Sequence, residues 1–386
     1  MSEPIVIPAD EPVPEWAVRY NAGDYPLQAV TGDAVALALD CGAPECTLRA
    51  LLVERGKDPF GGLDAWPGGF MDWTDADTRQ AAIRELAEET GVAAPAFVEA
   101  LAAYSRNGRD PRQFAGTRDE KTGGWIARGA RVTTAAYLML CRDPHGAAAP
   151  AGADDAATAH WADVYEYLPW EDVRDDERRR ATVLTRYELD AWAGRDRQKQ
   201  ARVAGLFDLA EWNEERTAER WALLMESGLV PEARRDRWGR AEAREEDPFF
   251  GRAMAFDHRE ILADALGRIR GKIKYTPAAL MALTGPEATL DELQAACEAI
   301  AGRPLHRSNF RRAVAPSGTG APRMPRMVAK TGQRRSRQGK GPGVAPEIYR
   351  FLDDAVRARL DTSIRFPWLP LPVDEDDGSR RGGEPA

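Results

Sequence analysis

The sequence predicts a mixed α/β (α+β) chain: a strand-rich N-terminal unit, a charged helical insertion, and a C-terminal helix-turn-helix followed by a basic wing. Three observations carry that expectation. Apolar runs with turn-rich connections fill residues 33 to 55 and return at Phe97 to Tyr104 and Val132 to Cys141. Residues 173 to 250 space Leu, Trp and Ala helically among many charges. From Asp257 onward, three short helix signals, a tight turn and one more short helix lead into a segment crowded with Lys and Arg.

At 386 residues the chain is long enough for two or three cores. The expected division is 1–172, 173–250, 251–361 and a disordered tail over 362–386. A composition of 43% hydrophobic and 30% charged residues suits a globular protein. No signal-like start and no run of about 20 apolar residues is present, so a cytoplasmic protein without a membrane partner is expected. Cys41, Cys46, Cys141 and Cys297 form no Cys-x-x-Cys pair and only four histidines accompany them, which argues against structural zinc and for reduced thiols. Cys141 and Cys297 lie among apolar neighbours and are expected in the core. The net charge of −9 hides a block, residues 303 to 340, with eleven Lys/Arg and no Asp or Glu. Such a block suits contact with a polyanion, and a disordered basic loop suits the composition equally.

In the first unit, the Gly/Pro-rich "GKDPFGGLDAWPGGF" leads to a helix expected over about Asp75 to Thr90, ended by Gly91. Glu85, Glu88 and Glu89 sit at i, i+3 and i+4, placing three carboxylates on one face opposite Ala82, Ile83, Leu86 and Thr90. Clustered carboxylates repel one another unless a cation neutralises them, and an oxygen-only set suits Mg²⁺ or Mn²⁺. Arg84 reaches Glu88 one turn on. Pro67, Gly68 and Gly69 bend the chain without side-chain bulk, so backbone could approach a diphosphate. Arg109 and Arg112 of "GRDPR" could grip a diphosphate as planar forks, or Asp110 could pair with one of them to brace a turn. The long loop from Arg112 to Val132 suits a lid.

In the middle segment two or more amphipathic helices are expected, then a flexible connection at "EARRDRWGRAEAREEDP". "DHREILADALGRIRGKI" opens with Asp257 and Glu260 in capping-box spacing and carries a stripe of Ile261, Leu262, Ala265, Leu266 and Ile269. Thr276 and Pro277 start the next helix, and Thr289 with Glu292 repeats the capping box. In "HRSNFRRAV", Phe310, Ala313 and Val314 face inward and leave Arg307, Asn309, Arg311 and Arg312 outside, a face able to read base edges and hold phosphate. The segment 315 to 346 adds Arg334, Arg335, Arg337 and Lys340 among others, and before the strand-like "EIYRF" it would form a wing along a nucleic-acid backbone.

The combination of Gly-Gly-Phe, an acidic helix and Thr-Gly-aliphatic resembles the Nudix box: Gly, five residues, Glu, seven residues, then Arg-Glu-aliphatic-any-Glu-Glu-any-Gly-aliphatic. Arg84, Glu85, Leu86, Glu88, Glu89, Gly91 and Val92 match. The leading Glu does not, because counting from Gly69 reaches Asp75 and counting back from Arg84 reaches Ala76. The resemblance implies an α/β/α sandwich, metal held by Glu85, Glu88 and Glu89, catalysis by these with Arg84, and a ligand cradled by Gly68, Gly69 and Phe70. "GRDPR" is similar to the Nudix subgroup that handles ADP-ribose, which implies that Arg109 and Arg112 contact ligand. "MAFDHREILADALGRIRGKIKYTP", "TLDELQAACEAIAGRPLHRSNFRRAV" and "EIYRF" look like the winged helix of the NrtR family, Nudix-related regulators of NAD metabolism. That resemblance implies an ADP-ribose ligand, a double-stranded DNA operator, a homodimer and frequent loss of hydrolysis. A pyrophosphohydrolase with an unrelated basic appendage is the alternative, and a protein or RNA docking module is a third.

Overall fold

The computed structural model describes residues 14–19, 28–42, 45–92, 95–144, 156–240, 248–315, 327–335, 345–353 and 369. A short helix α1 (Glu15–Arg19) precedes β1 (Gln28–Asp40), which pairs antiparallel with β2 (Thr47–Arg55), Leu37 lying opposite Ala50. This hairpin brings the Cα atoms of Cys41 and Cys46 to 3.9 Å, and the two are joined as a disulfide. The expectation of reduced thiols is corrected for this pair: hairpin ends, rather than Cys-x-x-Cys spacing, create the proximity. Cys141 and Cys297 are free and buried.

Next come β3 (Asp64–Ala65), β4 (Gly68–Phe70), α2 (Thr78–Thr90), β5 (Phe97–Tyr104), the small hairpin β6 (Gly116–Arg118) and β7 (Trp125–Ala127), β8 (Arg131–Leu140) and β9 (Ala156–Asp163). The main sheet runs β3-β2-β1-β8-β5, with β4 added to β1 and β9 to β2. β1 and β8 are parallel, Ala34 lying opposite Tyr137. Thr31 to Leu39 are buried without interruption, as a strand covered on both faces requires. Ala34, Ala36 and Ala38 pack on Ala82 and Leu86 of α2. Val35, Leu37 and Leu39 join the larger core on the opposite face.

The helices α3 (Val164–Tyr167), α4 (Asp176–Ala193), α5 (Arg197–Phe207) and α6 (Thr217–Ser227) follow. Their anchor is an ionic knot: Glu171 receives Arg220 at 2.6 and 2.7 Å and Arg270 at 2.6 Å, all three side chains fully buried. The flexible connection expected after α6 is corrected over its described part. Glu232 accepts from Arg259 at 2.7 Å and Arg235 donates to the carbonyls of Met254 and Phe256, so 231–240 is tied down, while 241–247 lies outside the described residues.

The C-terminal elements are α7 (His258–Lys272), α8 (Pro277–Thr284), β10 (Glu287–Thr289), α9 (Leu290–Ala301), α10 (Arg307–Val314), β11 (Val328–Arg334) and β12 (Glu347–Phe351). The predicted stripe of α7 is buried from Ile261 to Ile269 and packs in one core with Val35 and Leu37 of β1, so a helix from the C-terminal half supplies an outer layer of the first unit. The capping box of Thr289 and Glu292 is present, but Thr276 makes no side-chain cap bond. Asp257 makes none either, because its carboxylate goes to Arg109. β10, β12 and β11 form a three-stranded sheet beside α10. Of the expected tail, only Leu369 is described. Among the described residues no helix is long and apolar enough to cross a membrane.

Candidate functional site

β4 crosses β1 with Gly68 opposite Asp33 and Gly69 opposite Gly32. A Cβ at Gly69 would overlap the Glu85 carboxylate, and one at Gly68 would overlap Asp33. The two glycines therefore let the acidic helix and the buried strand meet at the same crossing. α2 begins at Thr78 with Asp77 capping Gln80, and ends at Gly91 in the left-handed conformation. Arg84 donates to Asp75 at 3.1 and 2.9 Å, to Glu85 at 2.8 Å and to Glu88 at 3.0 Å. Asp75 is buried, and the Arg84 hydrogen bonds hold its carboxyl below the ordinary range. Asp75, where counting from Gly69 places the leading acid and one methylene shorter than Glu, therefore pairs with Arg84. On that count the surplus residue falls between Asp75 and Arg84, not between Gly69 and Asp75.

The three glutamates do not all face solvent as the spacing suggested. Glu88 is exposed, whereas Glu89 turns inward and accepts the Gly68 N–H at 3.0 Å. Burial pushes Glu89 up to about 7, and also raises Glu85. Oxygen-only donors that resist ionisation in this way suit a divalent cation, which would offset the cost of their charge. Among the described residues, however, no three acidic, His or Cys side chains converge as a ready cage. Arg84 bridges Glu85 and Glu88, and Glu89 is held by the backbone.

Beside this helix lies a cavity of about 130 Å³ whose lining includes Asp33, Arg55, Trp66, Gly68, Gly69, Phe70, Glu89, Arg109, Arg112, Phe256 and His258. It brings together Gly68, Gly69, Phe70, Glu89, Arg109 and Arg112 from the sequence expectation, and leaves Arg84, Glu85 and Glu88 outside its lining. Both arginine forks are already filled from within the chain. Arg109 grips Asp257 at 2.8 and 2.6 Å, and Arg112 grips Asp110 at 3.0 and 2.7 Å. The fork of Arg109, expected to grip a diphosphate, here meets Asp257. Its fork is spent on fixing the start of α7, because two buried opposite charges are cheaper paired than apart. Arg112 is partly exposed and lies over the Phe70 ring at 5.1 Å and the Phe256 ring at 5.5 Å.

Asp33, Phe256 and His258 escaped the sequence reading. Asp33 is the one charged residue between Ala29 and Leu39, and a lone charge in a buried run was the available signal. Burial raises Asp33 to about 7. His258 is likewise buried and held well below its ordinary value, first by burial and then by Arg109. No local pattern marks it, because its partner Trp66 is 192 residues away.

On α10, Phe310, Ala313 and Val314 are buried and Arg307, Asn309, Arg311 and Arg312 lie towards solvent. Arg307 and Arg311 both reach Asp291, at 2.9 and 2.8 Å, and Arg312 donates to Asn309. In the wing, Arg335 pairs with Glu292 at 2.5 Å and Arg334 closes β11 opposite Glu347. Arg307, Arg311 and Arg334 line one groove. Arg337 and Lys340 lie outside the described residues.

Comparison with known proteins matches residues 45–187 to the NUDIX domain and residues 281–351 to the NrtR DNA-binding winged helix domain. The chain is similar to the ADPR responsive transcriptional repressor NtrR of Acinetobacter baylyi, 24% identical over 364 residues, 94% of this chain and 95% of that protein. It is 40% identical over 77 residues to an ADP-ribose pyrophosphatase of Methanocaldococcus jannaschii, spanning 20% of this chain and 44% of that one. The crystal structure of Shewanella oneidensis NrtR aligns with a TM-score of 0.45 at 22% identity, over 87% of this chain and all of that chain.

Proposed function

For a chain of the NrtR type, in which a Nudix domain is followed by an NrtR winged-helix domain, we propose a transcriptional regulator that binds ADP-ribose or a related nucleoside diphosphate derivative in the β1/β4/α2 cavity. The regulator binds a double-stranded DNA operator through α10 and the β11–β12 wing. It works in the cytoplasm as a homodimer and controls genes of NAD metabolism. The observation that carries this reading is that one cavity is walled by both halves: Gly68, Gly69 and Glu89 from the Nudix part, Phe256 and His258 from the lead-in to the C-terminal helices. A ligand there touches the element that packs beneath the winged helix, and so has a means of favouring one placement over another.

Nudix hydrolases generally use divalent metal ions. Glu85, Glu88 and Glu89 are the residues that would hold Mg²⁺ or Mn²⁺ here, and the ion would supply neutralisation of diphosphate charge. Within the chain, Asp75 and Glu85 fix Arg84 beside Phe70, whose carbonyl accepts from Arg84 at 3.1 Å. Gly68 and Gly69 let Asp33 and Glu85 close on β4, and line the cavity beside the ligand. Phe70 and Phe256 offer ring faces on which Arg112 already rests. On α10, the exposed Arg307, Arg311 and Arg312 and the half-buried Asn309 meet base edges and phosphates, and Arg334, Arg335, Arg337 and Lys340 follow the backbone.

Slow hydrolysis is a second reading, favoured by the Asp75–Arg84 pair, which keeps the buttress of the motif in place despite the extra residue. One experiment separates the two: mobility shift of the purified protein on its own upstream DNA, with and without ADP-ribose, beside an assay of AMP release. A ligand-dependent shift with little AMP is expected. Absence of a shift on any native upstream fragment at low salt would sink the regulator, and an AMP release unchanged by Glu85→Gln would sink the catalytic assignment.

A further inference from the structure

We infer that Asp33 and His258 form a subsite for a hydroxyl of the terminal ribose, held jointly by the central strand of the sheet and by the first residue of α7. This rests on the reading of the cavity as a nucleoside diphosphate sugar site, and names which end of the ligand enters it first.

Asp33 is buried at the cavity wall, and its Oδ2 has no hydrogen-bond partner. Thr134, whose hydroxyl lies 2.5 Å from that of Thr31, offsets part of the cost of burying this carboxylate. A buried polar atom left in this state costs free energy that native structures seldom leave uncompensated, so an orphan aimed into a cavity marks a place for a donor.

The donor cannot be His258 alone. Its Nε2 stands 3.6 Å from Asp33 Oδ2, beyond hydrogen-bond reach. Yet its proton has a fixed address. Nδ1 accepts the backbone N–H of Trp66 at 2.9 Å, so the neutral ring carries its hydrogen on Nε2, facing the cavity and the carboxylate. The Trp66 indole returns a bond to the His258 carbonyl at 3.0 Å, which fixes the ring from both ends. Phe256, two residues earlier, holds a left-handed backbone with φ of 49°, an arrangement a bulky residue adopts only where the surroundings impose it. Arg109 grips the intervening Asp257.

An acceptor and a donor thus look at one point. A hydroxyl satisfies both, giving its proton to Asp33 Oδ2 and receiving that of His258 Nε2. A phosphate is excluded by the carboxylate, and an amino group would leave the imidazole N–H unanswered. A cavity of about 130 Å³ holds a single ring, well under the roughly 300 Å³ or more of a whole-ligand pocket. The ribose of adenosine carries a base and a phosphate, more than a single-ring space holds. The terminal ribose carries a single substituent and is the hydroxyl-bearing ring that can end in such a space, which Glu89 and Arg112 also line.

The test is calorimetric titration of the full chain with ADP-ribose, ADP and ribose 5-phosphate, on wild type, Asp33→Asn, His258→Asn and His258→Gln. Asparagine at 258 keeps an acceptor for Trp66 and loses the Nε2 donor, and glutamine places an amide near that donor. Thermal melting of each variant certifies the fold. The expected result is a loss of about tenfold or more in ADP-ribose affinity for the two asparagine variants, ADP affinity unchanged, and partial recovery with glutamine. Equal losses for ADP-ribose and ADP, or no loss for either, would overturn the subsite. If wild type binds neither nucleotide, the cavity reading of the preceding section fails. In that event ribose 5-phosphate decides alone: binding that the asparagine variants abolish upholds the subsite, and no binding overturns it.

Discussion

Two of the buried carboxylates among the described residues, Glu171 and Asp33, meet opposite fates. Glu171 sits between Arg220 and Arg270. Burial alone would raise it, but the two guanidinium groups outweigh that and hold it below the ordinary range. Asp33 is buried too but has no guanidinium in its grip, and it rises to about 7. A buried charge whose bonds are all met ties elements together. A buried charge with one oxygen unmet, facing a cavity, is poised for something that comes from outside. The first sits where the insertion, α7 and the end of α9 converge, and the second where a ligand would be enclosed.

That contrast can be broken most severely at Glu171. Glu171→Ala leaves two buried guanidinium groups facing each other, and we expect a loss of about 3 to 5 kcal/mol in urea unfolding. A loss below about 1 kcal/mol would show the knot to be no anchor. Asp33→Asn should act in the opposite direction. Because its folded value lies above the unfolded 3.8, wild type loses stability as pH rises from there through about 7. The variant escapes this, so its melting temperature should gain on wild type between about pH 5 and about pH 8, by the equivalent of on the order of 2 kcal/mol. A difference independent of pH would contradict the assignment.

Smaller effects separate the ligand half from the DNA half. Arg311→Ala should weaken operator binding by about 1 to 2 kcal/mol in fluorescence anisotropy and leave ADP-ribose affinity unaltered. Loss of ligand binding instead would mean the two functions were assigned to the wrong regions. The smallest change is expected at Asp291, which holds Arg307 and Arg311 at the surface. Asp291→Asn should alter stability by less than about 1 kcal/mol, since exposed pairs contribute little, while tightening DNA binding by releasing both arginines. Weaker binding would show that Asp291 orders the two arginines for DNA.

Legibility from sequence followed the range of the interaction. Helix α2, its Gly91 cap and the Arg84–Glu88 pair are local, and spacing alone located them to within three residues. The Thr289–Glu292 box and the buried face of α10 were equally local. Asp257 showed the limit of such patterns. It stands in perfect capping register, but a bidentate partner 148 residues away outcompeted the helix end. Asp33 and His258 depend on β4 crossing β1 and on α7 folding back to Trp66, so only the tertiary structure could join them. The disulfide was missed for the same reason at shorter range, since the strands and not the cysteine spacing bring its ends together.

The central claim is that one ligand, enclosed between the sheet and α7, alters how the winged helix meets DNA. Its most direct measurement is operator affinity by fluorescence anisotropy across an ADP-ribose titration, paired with ADP-ribose affinity by calorimetry in the presence and absence of operator. Linkage requires both affinities to change by one common factor, expected between about 5-fold and 150-fold. Tight binding of both ligands with a factor of one would contradict the account.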